Sequence, residues 1–148
     1  MRYLALRDLL GMPADHPDLA SAREQAHVHG PIADTLAAMH ADGYRVEPGP
    51  GYTPKYRSTV WSVVSLAQVG ASAAVDERVE RAYEYVLAHA LADGVKFSAS
   101  GGPAGTADCL QGNLRAALLD LGVRPDRLEA VFEWMARTIT GEGLASSM

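Results

Sequence analysis

Asp108 and Cys109 are neighbours, and Cys109 is the only cysteine among 148 residues. At a helix start the dipole lowers a thiol's pKa and makes the thiolate a nucleophile. The alternative is a small apolar side chain buried in a core. A lone cysteine makes no intrachain disulfide and fits a reducing compartment, so a cytoplasmic location is expected. The five histidines offer little convergent chemistry. His27 and His29 would point about 200° apart on a helix, and His16, His40 and His89 have no Cys or paired carboxylate at ligand spacing. Capping or solvent-facing roles are expected for all five, and no metal site. The aspartates are scattered singly, and no Ser-His-Asp arrangement can be argued. The segment GGPAG lacks the lysine and the preceding strand of a phosphate-binding loop.

One group of residues has binding chemistry. Tyr52, Tyr56, Thr59 and Trp61 precede or open one predicted helix, and Cys109 and Asn113 open another. Together they would supply aromatic faces and hydrogen-bonding groups to a hydrophobic ligand. Alternatively, Trp61 belongs to a core and the tyrosines pack a long loop. Lys55 and Arg57 sit beside these aromatics, but a net charge of −5 argues against a broad phosphate-binding face. The pair reads as a solvated turn.

The elements that hold these residues are helical. Residues 3–10 predict a short helix stopped by Gly11 and Pro13, serving as a capping element. A second helix runs from a cap at Asp15 or Asp18 through Leu19, Ala22 and Ala26 to about Val28. Pro31 opens a third, with Ile32, Leu36 and Met39 as its buried stripe. Residues 41–54 must be a loop, because residues 48–51 are all proline or glycine. From Thr59, Trp61, Val64, Leu66 and Val69 cover more than one helix face. The next helix has one apolar stripe, Val79, Ala82, Tyr83, Val86 and Leu87, against Glu80, Arg81 and Glu84. A helix from about Cys109, with Asp108 as its cap and Gly112 permitting close helix contact, precedes a last one carrying Leu128, Val131, Phe132, Trp134 and Met135. Gly141, Gly143 and the tail SSM signal disorder or an abrupt end. No apolar run is long enough to span a membrane.

These helices repeat. Residues 59–70 and 76–94 resemble 111–122 and 126–143: Leu66, Val69 and Gly70 fall on Leu118, Leu121 and Gly122 at an offset of 52, and Val79, Tyr83, Tyr85 and Gly94 on Leu128, Phe132, Trp134 and Gly143 at an offset of 49. Two helices per period of about 50 residues predict a stacked array of helical hairpins, each pairing a buried inner helix with a half-exposed outer one. The expected domain is single, 1–148, all-α, with about six helices in three hairpins at 17–43, 59–94 and 109–143.

The phrases KYRSTVW, LAQVG, DERVERAYEYVL, DCLQGNL and LLDLG, in that order and spacing, resemble the prenyltransferase and squalene-cyclase repeat family, and within it a bacterial squalene-cyclase-like subgroup of unassigned activity. MHADGY and LADGVKF look like worn forms of its glycine-aromatic turn, lacking the flanking Gln and Trp. The resemblance implies an α/α toroid, a ring of inner and outer helices around an apolar cavity, with side chains near the inner-helix starts facing that cavity. A full ring takes five or more hairpins, so three would make an incomplete one whose open side pairs with a second copy or belongs to a longer toroid. The family's chemistry does not carry over. The chain has no Asp-x-Asp-Asp acid run for protonating an alkene, and no Asp-Asp-x-x-Asp magnesium motif. Asp108 and Cys109 are adjacent, whereas the zinc-binding Asp and Cys of the protein prenyltransferases are separated by one residue and sit on an earlier inner helix. The expectation is a noncatalytic domain, without cofactor, binding a hydrophobic or isoprenoid-like molecule or a partner chain. The alternative is an isoprenoid-acting enzyme whose acids or metal ligands come from another subunit or flanking sequence.

Overall fold

Several helices close at glycines in the computed structural model, which describes residues 1–106 and 108–141. α1 (Arg2–Leu4) continues as a π-helical turn, Ala5–Leu9, and Gly11 turns the chain away at φ +59°. α2 (Pro17–Val28) takes Pro17 in its first turn. Its cap is neither Asp15 nor Asp18 but His16, whose Nδ1 accepts the Asp18 N–H at 3.2 Å. Asp18 lies inside the first turn, where its charge meets the positive end of the helix dipole. α3 (Pro31–Ala37) opens on Pro31 as expected, with Ile32 and Leu36 buried.

α4 (Thr59–Gln68) and α5 (Glu77–His89) follow the long loop. Asp76 caps α5 by accepting the Arg78 N–H at 2.9 Å. A small hairpin that the helical pattern did not foretell comes next: β1 (Leu91–Ala92) pairs antiparallel with β2 (Lys96–Phe97), Leu91 opposite Phe97. Asp93 and Gly94, at φ +52° and +70°, make its turn, the Asp-Gly chemistry such turns favour. α6 (Asp108–Leu121) begins at Asp108 itself, so this carboxylate belongs to the first turn. α7 (Glu129–Thr140) is entered through a 3₁₀ turn, Pro125–Leu128. Asp126, the first residue of the repeat segment 126–143, sits in that turn and pairs with Arg124. The protein is thus a mostly helical small domain with six helices of seven or more residues and one tiny sheet among the described residues.

α4 and α6 form the centre. Val60, Val63 and Leu66 from one and Leu114, Leu118 and Leu121 from the other are fully buried, each side chain contributing about 1.5–3 kcal/mol relative to exposure. The two helices run parallel. The turn after α4 meets the end of α6, where Ala73 N–H donates to Leu121 O at 3.1 Å, and at the opposite end Lys55 lies within electrostatic reach of Cys109. α5 covers the centre with Val79, Ala82, Tyr83 and Val86 while Glu80 and Arg81 face water. α1 and α2 carry a smaller cluster, Tyr3, Leu19 and Ala22. His27, buried in α2, ties this end to the rest: its Nε2 accepts the Ser72 N–H at 3.0 Å and its Nδ1 lies 2.8 Å from Arg23 O.

The glycines at offset 52 make the same turn. Gly70 and Gly122 have φ of +83° and +112°, and the following N–H groups reach back five residues, Ala71 to Leu66 O at 2.9 Å and Val123 to Leu118 O at 3.0 Å. This is the bond by which a glycine-terminated helix satisfies its last carbonyls. Gly112 does not mediate close helix contact as expected, because the space where its Cβ would sit is open. The close approach occurs at Gly43, where an added Cβ would lie 2.3 Å from Arg81 O. The expectations for Gly143 and the SSM tail lie outside the described residues.

Candidate functional site

The loop before α4 is held in shape by side chains from the helices. Thr59 Oγ1 accepts the Arg45 N–H at 2.9 Å, Arg45 donates to Ser62 Oγ at 3.1 Å, and Tyr85 Oη accepts the Gly49 N–H at 2.8 Å. Gly51 O receives both the Ser58 hydroxyl at 2.7 Å and the Val60 N–H at 2.9 Å. With so many of its polar groups satisfied by helix residues, the loop presents its tip in one arrangement.

That tip carries an aromatic cluster. Trp61, half-buried in the first turn of α4, donates its indole N–H to Tyr52 O at 2.9 Å. The Tyr52 and Tyr56 rings lie 5.3 and 5.0 Å from the Trp61 ring, inclined at 54° and 55°, the tilted arrangement that aromatic quadrupoles favour. Tyr56 is 72% exposed and its backbone has φ +66°, a left-handed conformation costing a residue with a Cβ roughly 1–2 kcal/mol. Lys55 Nζ sits over the faces of Tyr56 and Trp61, 5.1 and 5.7 Å from their centroids. Its hydrogen bond with Tyr56, then the nearby phenols, hold the ammonium's pKa above the ordinary lysine value. Lys55 and Arg57 lie on an exposed turn, as expected, and Lys55 also rests against the aromatic cluster.

The residues expected at the site divide. Tyr52, Tyr56 and Trp61 come together, and Cys109 is exposed, not packed in a core. The side chain of a helix's second residue points back past the helix start, and among the described residues Cys109 stays exposed there. Asn113 is exposed one turn further along α6. Thr59 is fully enclosed and spent on Arg45, so it holds the loop and offers no ligand contact.

Sequence reasoning overlooked three features. His27 is buried with both ring nitrogens engaged, whereas the other histidines do cap or face outward. His40, Tyr44, Tyr85 and His89 form a line of rings with successive centroids 4.5, 5.6 and 4.0 Å apart, and the i, i+4 spacing of Tyr85 and His89 on α5 was the available signal. Arg115, in the apolar run of α6, is 1% exposed. It donates to Val131 O, lies 3.1 Å from Met135 Sδ and packs 4.5 Å from the Phe132 ring centroid. Burial pushes its pKa below the ordinary arginine value.

An open groove of about 750 Å³ lies elsewhere, between α2, α3 and the start of α5. It is bordered by Glu24, His27, Val75 and the Asp76–Arg78 ion pair. Among the described residues no group of three or more His, Cys, Asp or Glu could hold a metal ion, and no helix is long and apolar enough to cross a membrane.

The fold and the cluster define a small helical domain presenting an ordered aromatic platform with a lysine seated on it. The chain matches no protein-family model, no curated protein and no solved structure.

Proposed function

We propose that this chain is a noncatalytic binding domain, built as an incomplete α/α toroid of stacked helical hairpins, that takes a hydrophobic small molecule on the aromatic platform at the starts of α4 and α6. The observation that carries the proposal is the Tyr52–Trp61–Tyr56 cluster: large apolar faces held by an ordered loop and left partly open to water. The parallel course of α4 and α6, and the shared turns at Gly70 and Gly122, support the hairpin stack. Titration with farnesol, a neutral isoprenoid alcohol, tests it through aromatic fluorescence. Saturable quenching at micromolar concentration that is lost in Trp61→Leu is expected. A flat titration up to the solubility limit would overturn the proposal.

A partner chain is the second reading, favoured by α7. Val131 is its only fully buried residue, while Phe132 is 38% and Ile139 77% exposed. Covering such side chains with a second copy of the chain stabilises a dimer in proportion to the apolar area removed from water. Light scattering at micromolar concentration is expected to give twice the mass of one chain, and Ile139→Glu to return it to one.

A further inference from the structure

The platform described above already has an occupant, and its charge says what the platform prefers. The Lys55 ammonium lies within 6 Å of two aromatic centroids, over faces that carry negative electrostatic potential. Tyr56 contributes the outermost ring from a backbone conformation that disfavours any residue with a Cβ. Strained residues of this kind persist where the surroundings over-determine them, and here the strain sets the ring against both Trp61 and the ammonium. Lys55 is tethered at one end only, exposed, and joined to no carboxylate among the described residues. A primary ammonium is strongly hydrated and exchanges readily with water. A quaternary ammonium has no N–H to solvate and spreads its charge over methyl groups that pack on ring faces, which is why aromatic cages recognise it.

We propose that Tyr52, Tyr56 and Trp61 form a recognition site for the trimethylammonium group of a small soluble molecule, with Lys55 as a built-in competitor that the ligand displaces. This rests on the platform being a binding surface at all, and adds the sign of the ligand's charge.

Trp134→Phe leaves Trp61 as the sole tryptophan reporter. Choline is then titrated beside 3,3-dimethyl-1-butanol, its uncharged carbon analogue. Choline is expected to bind saturably and the neutral analogue at least ten-fold more weakly. Lys55→Gln, which removes the tethered cation, is expected to tighten choline binding by about two- to five-fold, and Tyr56→Ala to weaken it. Equal binding of choline and its neutral analogue would overturn the charge assignment while leaving a hydrophobic platform. Weaker choline binding in Lys55→Gln would overturn the competitor role. Binding to phosphatidylcholine vesicles without binding to free choline would overturn the small-molecule form. No response to choline, alongside saturable farnesol binding, would sink this proposal alone. Calorimetric titration of the unsubstituted protein with choline supplies a second readout independent of every variant.

Discussion

Gln111 grips the backbone of Phe97 from both sides: its Oε1 accepts the Phe97 N–H at 2.8 Å and its Nε2 donates to the Phe97 carbonyl at 2.6 Å. One side-chain amide thus takes the place of a neighbouring strand and pins the hairpin to the first turn of α6, in a fully buried setting. Replacing Gln111 by Ala leaves a buried donor and a buried acceptor unpaired at once. The expected loss is about 2–4 kcal/mol at the usual penalty for each unpaired group, read as a lower urea midpoint. Gln111→Glu keeps the acceptor but sets a carboxylate against the Phe97 carbonyl, and is expected to cost at least as much.

Two glycines make opposite predictions. At Gly43 a Cβ would meet Arg81 O at 2.3 Å and φ is +94°, so Gly43→Ala pushes the loop off α5. A loss above about 2 kcal/mol is expected from the combined clash and strain. At Gly112, inside α6, a Cβ has open space. Gly112→Ala is expected to raise stability by about 0.5–1 kcal/mol, because the unfolded chain has less freedom to lose. Thermal unfolding of the two variants checks both signs.

Asp76 gives a pH dependence. The Arg78 guanidinium, together with the Arg78 N–H, holds its carboxyl below the ordinary carboxylate value. A depressed folded-state pKa contributes stability that is fully present above the unfolded value of about 4 and is lost as pH falls through the folded one. Asp76→Ala is therefore expected to cost about 1–2 kcal/mol at neutral pH, mostly from the lost cap, with the gap to the unsubstituted protein narrowing in acid. Asp76→Asn keeps the cap and is expected to cost less. Urea unfolding across pH 2 to 7 separates the two.

Arg115 is buried between α6 and α7 with no carboxylate partner among the described residues, and its Nε has no hydrogen-bond acceptor among them. Its length fills space that its charge does not need. Arg115→Met keeps most of that volume and removes a desolvated cation, so stability is expected to hold or to rise by about 1 kcal/mol. Arg115→Ala opens a cavity and is expected to cost about 2–4 kcal/mol. The order Met above Ala, measured by chemical unfolding, checks that packing outweighs charge here.

The helices were legible because their signals are local. Pro31 opened α3, Asp76 capped α5, and Gly70 and Gly122 ended α4 and α6 at the offset the repeat marked. The aromatic cluster was half legible: Tyr52, Tyr56 and Trp61 lie close enough in sequence that one turn brings them together. The His16 cap was missed because its neighbours Asp15 and Asp18 are the more usual capping types, and Pro17 settles the matter by fixing which residue precedes the first turn.

By itself the sequence determined which stretches are helical, that Gly70 and Gly122 turn the chain, and which stripe of α5 is apolar, since these depend on residues within a turn of one another. The tertiary structure alone decided that Thr59 is enclosed and Cys109 exposed, that His27 bonds a loop 45 residues away, that Arg115 lies beneath α7, and that Lys55 rests on aromatic rings. Burial and hydrogen-bond partners are properties of which surfaces meet. That choice is made when whole helices pack, and no short stretch of chain encodes it.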